Sequence, residues 1–182
     1  MSSLFRPGTE LMVQYAGYHR DRRNIATHFV GIPLIVFAVG VLLARPTVPV
    51  AGLALTPAWV LWALAAAWYV SRGPGLLGVA VAAVTAVLVA LAQPLGAGTT
   101  TAWLAWGAGC FVAGWLVQFV GHLYEGRRPA FFDDLVGLLV GPMFVVAEAL
   151  FAFGRLRQLA AEIERQVGPT MLRDLHHQPA AR

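Results

Sequence analysis

Five apolar runs leave this chain few folds to choose from. They cover about 24–44, 57–71, 76–92, 102–124 and 135–153, and crossing a bilayer as a helix takes about 20 apolar residues. Inside hydrocarbon every backbone N–H and C=O must find a partner within the protein, which leaves helices as the natural solution for runs of this length. The chain is 58% hydrophobic and 12% charged, where soluble domains have about half and a quarter. The 182 residues have room for one small membrane domain. The expected fold is all-α, a polytopic integral membrane helical bundle with four full spans, a fifth apolar segment that is re-entrant or a full span, and a C-terminal amphipathic helix. The expected division is 1–23 as an N-terminal segment with a short helix, 24–153 as the bundle, and 154–182 as amphipathic helix and loosely ordered tail.

Punctuation supports these boundaries. Thr9 can cap a short helix to about His19, with Leu11, Met12 and Tyr15 on one side, and Asp21 to Asn24 interrupts it. Pro33 is expected to kink the first span, and Arg45-Pro46 ends it. Thr47 to Thr56 reads as a loop, Arg72-Gly73-Pro74-Gly75 as a tight turn, and Gln93 to Thr101 as an uncharged loop. Trp59, Trp62, Trp68 and Tyr69 suit membrane interfaces, and the Ala/Val/Gly-rich third span suits close helix approach. In Arg155 to Val167, Leu156, Leu159, Ala160, Ile163 and Val167 form one stripe, an amphipathic helix on the membrane or on the bundle. His176 and His177 lie in the tail and read as solvated. Lysine is absent, and the 13 arginines cluster at the ends of apolar runs. There they set topology and meet lipid headgroups, so nucleic acid is excluded as a partner while membrane lipid and a second copy of the chain are admitted as neighbours. Cys110, the one cysteine, lies in an apolar run as a packing residue, and no cleavable signal precedes the first span.

The arginines also orient the chain. Alternate assignment of the segments puts seven arginines on the N-terminal side against one on the other, so the N-terminus is expected to be cytoplasmic. Four spans return the chain to that side. His19 and His28 begin span one there, and His122 ends span four there. Parity alone gathers three of the five histidines at one membrane face.

Helical spacing adds geometry. Gln118, His122 and Glu125 fall at about 0°, 40° and 340° around a helix, one narrow stripe, and Asn24 and His28 are one turn apart. His19 and His28 are half a revolution out of phase and can share a metal only if the helix breaks between them. Taken singly, each residue has a plainer role. An interfacial histidine is usually an amphipathic side chain, Asn24 a helix cap, and Arg22, Arg23, Arg127 and Arg128 lipid anchors. Glu148 is harder to dismiss, because ionisable groups in membrane segments are costly and functional by default. Three histidines converging with Glu125 suit Fe, Zn, Cu or Mn, with no thiolate competing.

A full crossing by 135–153 would put the arginine-bearing tail outside, against the bias of the other spans. A reversal at Gly141-Pro142, making a re-entrant hairpin, removes that conflict and returns Glu148 to the histidine face.

Two motifs then match a known pattern. Tyr15-x3-His19-x4-Asn24-x3-His28-x2-Gly31-Ile32-Pro33, followed by Gln118-x2-Gly121-His122-x2-Glu125-x3-Pro129-Ala130, resembles a small membrane family long filed as a domain of unknown function. Its yeast member is named for metabolism of phytosphingosine to odd-numbered fatty acids. The resemblance spans about Tyr15 to Phe153 and implies an Fe(2+)-dependent dioxygenase that converts a 2-hydroxy fatty acid and O2 to the acid one carbon shorter. It maps the metal ligands to His19, His28 and His122. Tyr15, Asn24, Gln118, Arg128 and Glu148 are expected around them for support or substrate binding, and Glu125 joins the catalytic set. The composition suggests a bacterial member in the inner membrane. The ligand count agrees with this chemistry, since three histidines leave three octahedral positions for a hydroxy acid bound through two oxygens and for O2. Two other classes stay open at this point: a bis-histidine haem protein, and a lipid-binding or transport module with no metal.

Overall fold

The computed structural model describes residues 3–50, 52–127 and 136–174. After a 3-10 turn at Ser3–Phe5 come α1 (Gly8–Ala16), α2 (Arg22–Leu42), β1 (Val48–Val50), β2 (Leu53–Leu55), α3 (Pro57–Arg72), α4 (Leu76–Gly96), α5 (Thr100–Glu125), α6 (Gly137–Ala152) and α7 (Arg157–Val167). α2, α4 and α5 are each long and apolar enough to cross a membrane, while α6 and α7 qualify only as a pair bent by 112°. α3 has 16 residues, short for a crossing. It runs antiparallel to α4, with Trp62 Nε1 donating to the Ala82 carbonyl at 3.0 Å. The architecture is the expected all-α membrane bundle.

Its axis is the antiparallel pair α2 and α5, which small residues bring into backbone contact. A Cβ on Gly31 would lie 2.8 Å from the Gly114 carbonyl oxygen, and one on Gly114 would lie 2.8 Å from that of Gly31. Between apolar helices in lipid, dispersion across such an approach replaces the hydrophobic effect as the source of association. Gly121 likewise sits against Thr27 and Asn24. Gly114→Val is therefore expected to prise the pair apart at a cost of about 1–3 kcal/mol. An unchanged melting temperature in detergent would refute the close approach.

Several local expectations are corrected. α1 starts at Gly8 behind Pro7, and Thr9 makes no cap bond. Docking sets that start: Gly8 lies so close to the Arg72 carbonyl that a Cβ would be 2.0 Å from its oxygen. α1 ends at Ala16 rather than His19, and the break falls at Gly17 to Asp21, a few residues earlier than expected. Asp21 caps α2 by accepting from the Arg23 N–H at 2.8 Å, so Asn24 lies inside the helix. The 47–56 loop holds a small antiparallel hairpin, which Gly52 at φ +81 allows to turn. Pro33 falls inside α2, as its place in the first span implies.

The reversal at Gly141-Pro142 does not occur. α6 runs unbroken through Pro142. A proline removes one N–H and leaves the rest of the ladder intact, and Gly141 lets α6 settle against Ile32 and Tyr15. Gly137 and Leu138 border the same cavity as Ile35 and Trp115. Those two residues lie about 10 Å along their own helices from His28 and His122. Seven residues on from Gly137, the Phe144 ring lies 5.2 Å from that of His19, and Glu148 comes within 4.0 Å of Arg20. α6 thus starts at mid-depth and runs back to the histidine face, delivering Glu148 there without a turn in its middle. α7 then folds onto the bundle, with Leu159 and Ile163 buried in the core that holds Leu11 and Met12.

Candidate metal centre

The three histidines arrive from three places. His19 sits in the joint between α1 and α2, His28 two turns into α2, and His122 in the last turn of α5. The break in the joint removes the half-revolution mismatch between the first two. Each of the three is almost wholly buried, at 0%, 0% and 6% exposure, and one ligand atom from each lies within 4.8 Å of the other two.

Their protonation follows from their partners. His19 Nδ1 is 2.7 Å from the Tyr15 carbonyl, which at the end of α1 also takes the Tyr18 N–H at 3.0 Å. His28 Nδ1 is 2.9 Å from the Asn24 carbonyl. A carbonyl only accepts, so both Nδ1 atoms carry the proton and donate. In the neutral rings both Nε2 atoms then present bare lone pairs, and these stand 3.0 Å apart. Two lone pairs so close repel each other unless they share a cation. Burial, with His28 alongside, pushes His19 well below the usual imidazole range, which keeps it neutral and able to ligate. His122 adds a buried Nδ1 with no hydrogen-bond partner among the described residues. The donor set is therefore three neutral imidazoles, with carbonyls on two of them fixing tautomer and orientation. It fits a divalent transition metal. It does not fit a haem, because the rings meet edge-on at centroid distances of 4.4 to 5.1 Å, leaving no slot for a porphyrin.

The other expected residues divide. The Tyr15 ring stacks on His19 at 4.2 Å. Tyr15, Gln118 and His122 line a cavity of about 60 Å³ that continues past Ile32 and Ile35. Glu125 is fully buried, but its carboxylate is committed elsewhere. One oxygen accepts from the Arg20 N–H at 2.9 Å, the Asp21 N–H at 2.7 Å and the Asn24 amide at 3.3 Å. The other faces the Arg173 guanidinium at 2.8 Å. Glu125 thereby fastens the end of α5 to the joint that carries His19. Glu148 stands beyond, paired with Arg20. Arg128, Pro129 and Ala130, like His176 and His177, lie outside the described residues.

Sequence reasoning missed the strap that closes this face. Residues 168–174 were expected to be loosely ordered, yet Met171 pairs with the joint through Met171 N–H to Arg20 O (2.8 Å) and Arg22 N–H to Met171 O (3.0 Å). The Arg173 N–H donates to Asp21 at 2.9 Å. Burial alone would raise Asp21, but hydrogen bonds from Arg23 and Arg173 outweigh it and hold the carboxyl at about 2. The one available signal was an arginine in the tail to match a buried acid, and no spacing rule connects the two.

Comparisons with known proteins point to one family. The family model described as 2-hydroxy-palmitic acid dioxygenase Mpo1-like matches residues 5–153. The chain is 31% identical over 164 residues to the 2-hydroxy-palmitic acid dioxygenase MPO1 of Saccharomyces cerevisiae, covering 84% of this chain and 85% of that protein. No solved structure matches. With most of its length matched and a buried three-histidine cluster in place, the chain belongs to the Mpo1-like family of 2-hydroxy-palmitic acid dioxygenases.

Proposed function

We propose that this protein is a non-haem iron dioxygenase that shortens 2-hydroxy fatty acids by one carbon, with its site at the cytoplasmic face of a bacterial inner membrane. The observation that carries this reading is the 3.0 Å approach of two Nε2 atoms whose Nδ1 atoms are both committed to carbonyls. The balance is one 2-hydroxy acid and one O2 giving the acid one carbon shorter, CO2 and water; the Cα–carboxyl bond breaks and the hydroxyl-bearing carbon becomes the new carboxyl. Bound Fe(2+), held by His19, His28 and His122, would supply O2 activation beside that bond. The protein's own groups do the rest. The Tyr15 and Asn24 carbonyls fix the tautomer and aim of two imidazoles, and burial keeps His19 neutral. Tyr15 and Gln118 face the small chamber where the acid's polar end sits, and burial excludes water from it. Glu125 acts through the joint as a positioning residue. The arginine asymmetry supports a cytoplasmic N-terminus.

A lipid-transport module without metal would give no reason for the paired lone pairs. Elemental analysis of detergent-purified protein, before and after a chelator, tests the reading; protein that cannot be loaded with stoichiometric iron refutes it.

The 2-hydroxyl is expected to be indispensable. A plain fatty acid offers one fewer oxygen to a site built for two, and an unpaired polar site costs several kcal/mol, about 10⁴-fold in kcat/KM. Comparable turnover of palmitate and 2-hydroxypalmitate would refute the mechanism.

A further inference from the structure

Next to the histidine chamber lies a second, larger cavity of about 480 Å³, within the usual range for a ligand site. The two share walls: Ile35, Val36, Trp115, Leu138 and Pro142 line both. The larger one is an apolar groove lined from α2, α3, α4, α5 and α6, and two of its polar groups are turned away. The Thr85 hydroxyl donates to the Val81 carbonyl at 2.8 Å, and Trp62 Nε1 to Ala82. Its floor is buried, with Ala58 and Tyr69 both 3% exposed. Its rim is not, because Leu61 and Leu138 are 46% and 49% exposed on the apolar exterior. The groove therefore opens sideways, where lipid chains would lie. Its far end is near Val39 and Ala58, and the Ala58 N–H bonds the Leu43 carbonyl at 3.0 Å, close to the opposite end of α2. Val39 stands about 16 Å along α2 from His28.

The occupant must satisfy both spaces at once. The chamber admits a polar end of only a few atoms, and the groove admits an unbranched apolar chain. A two-chain lipid with a large headgroup meets neither condition, while a single-chain 2-hydroxy acid meets both. We infer that this groove is the acyl-chain site, filled laterally from the bilayer, and that Val39 and Ala58 at its far end set the longest chain accepted. This rests on the dioxygenase reading above and adds to it the path of the substrate and its length limit.

The test uses the full chain in lipid nanodiscs with 2-hydroxypalmitate carrying a diazirine at its terminal carbon. Photolysis should label peptides containing Val39 or Ala58, and excess 2-hydroxypalmitate should compete the label away. Label spread instead over outward-facing positions such as Leu64, Val79 and Leu123 (67%, 55% and 73% exposed) overturns the groove. Val39→Trp should retain wild-type iron content and lower kcat/KM for 2-hydroxypalmitate at least tenfold relative to 2-hydroxyoctanoate. An unchanged length profile in that variant overturns the length limit, and the labelling of wild-type protein decides the groove even if the variant does not fold. Competed labelling in the groove without turnover of any 2-hydroxy acid would keep the acyl site and discard the dioxygenase. Turnover with label elsewhere would do the reverse.

Discussion

His28→Ala is expected to lose metal by more than 100-fold in affinity and to reduce 2-hydroxy acid turnover to background, with the bundle still folded in detergent. Losing even a supporting partner of a ligand typically costs about 10–100-fold, and His28 supplies a donor atom directly. The fold should survive because the α2–α5 contact rests on Gly31, Gly114 and Gly121, not on the imidazole. Without metal, His28 is in fact a burden, since its Nε2 lone pair faces that of His19 at 3.0 Å. Metal should therefore raise the melting temperature of the wild type and leave that of His28→Ala unmoved, following the linkage between binding and stability. His19→Ala and His122→Ala should behave alike. Stoichiometric iron retained by any of the three removes the proposed centre.

What could be read from the residues, and what could not, divides along physical lines. The apolar runs and the polar breaks between them depend on hydropathy and charge placement, both local properties. Parity then put His19, His28 and His122 on one face with no distance information. The stripe Gln118, His122, Glu125 also needed only helical periodicity, and all three are buried as it implies. The misreadings came where tertiary contact overrides local preference. Gly8 under the Arg72 carbonyl, not a Thr9 cap, starts α1. Gly141-Pro142, a strong breaker in isolation, stays helical because Gly141 is wedged against Ile32 and Tyr15. The strap at Met171 and Arg173 follows no periodic pattern at all, and its partners, the joint backbone, Asp21 and the buried Glu125, are all remote in sequence.

Glu125 separates a ligand role from a positioning role. Its carboxylate takes two backbone N–H groups at the joint and one guanidinium. Glu125→Ala leaves those donors unpaired in a buried place and should destabilise the protein by about 3 kcal/mol. Iron affinity should fall with it, because the joint that holds His19 loosens. Glu125→Gln is the sharper variant. Its amide oxygen can still accept from the Arg20 and Asp21 N–H groups, while its NH2 now confronts Arg173. The expected loss is therefore smaller, about 1 kcal/mol, with iron bound near stoichiometry. Most of that loss should be restored by adding Arg173→Gln, since the misplaced partner is then gone and the two positions are directly coupled. A carboxylate that ligates iron predicts a different pattern: Glu125→Gln would lose iron as His28→Ala does, and Arg173→Gln would restore nothing. Melting curves and iron content of the two single variants and the double variant decide between them.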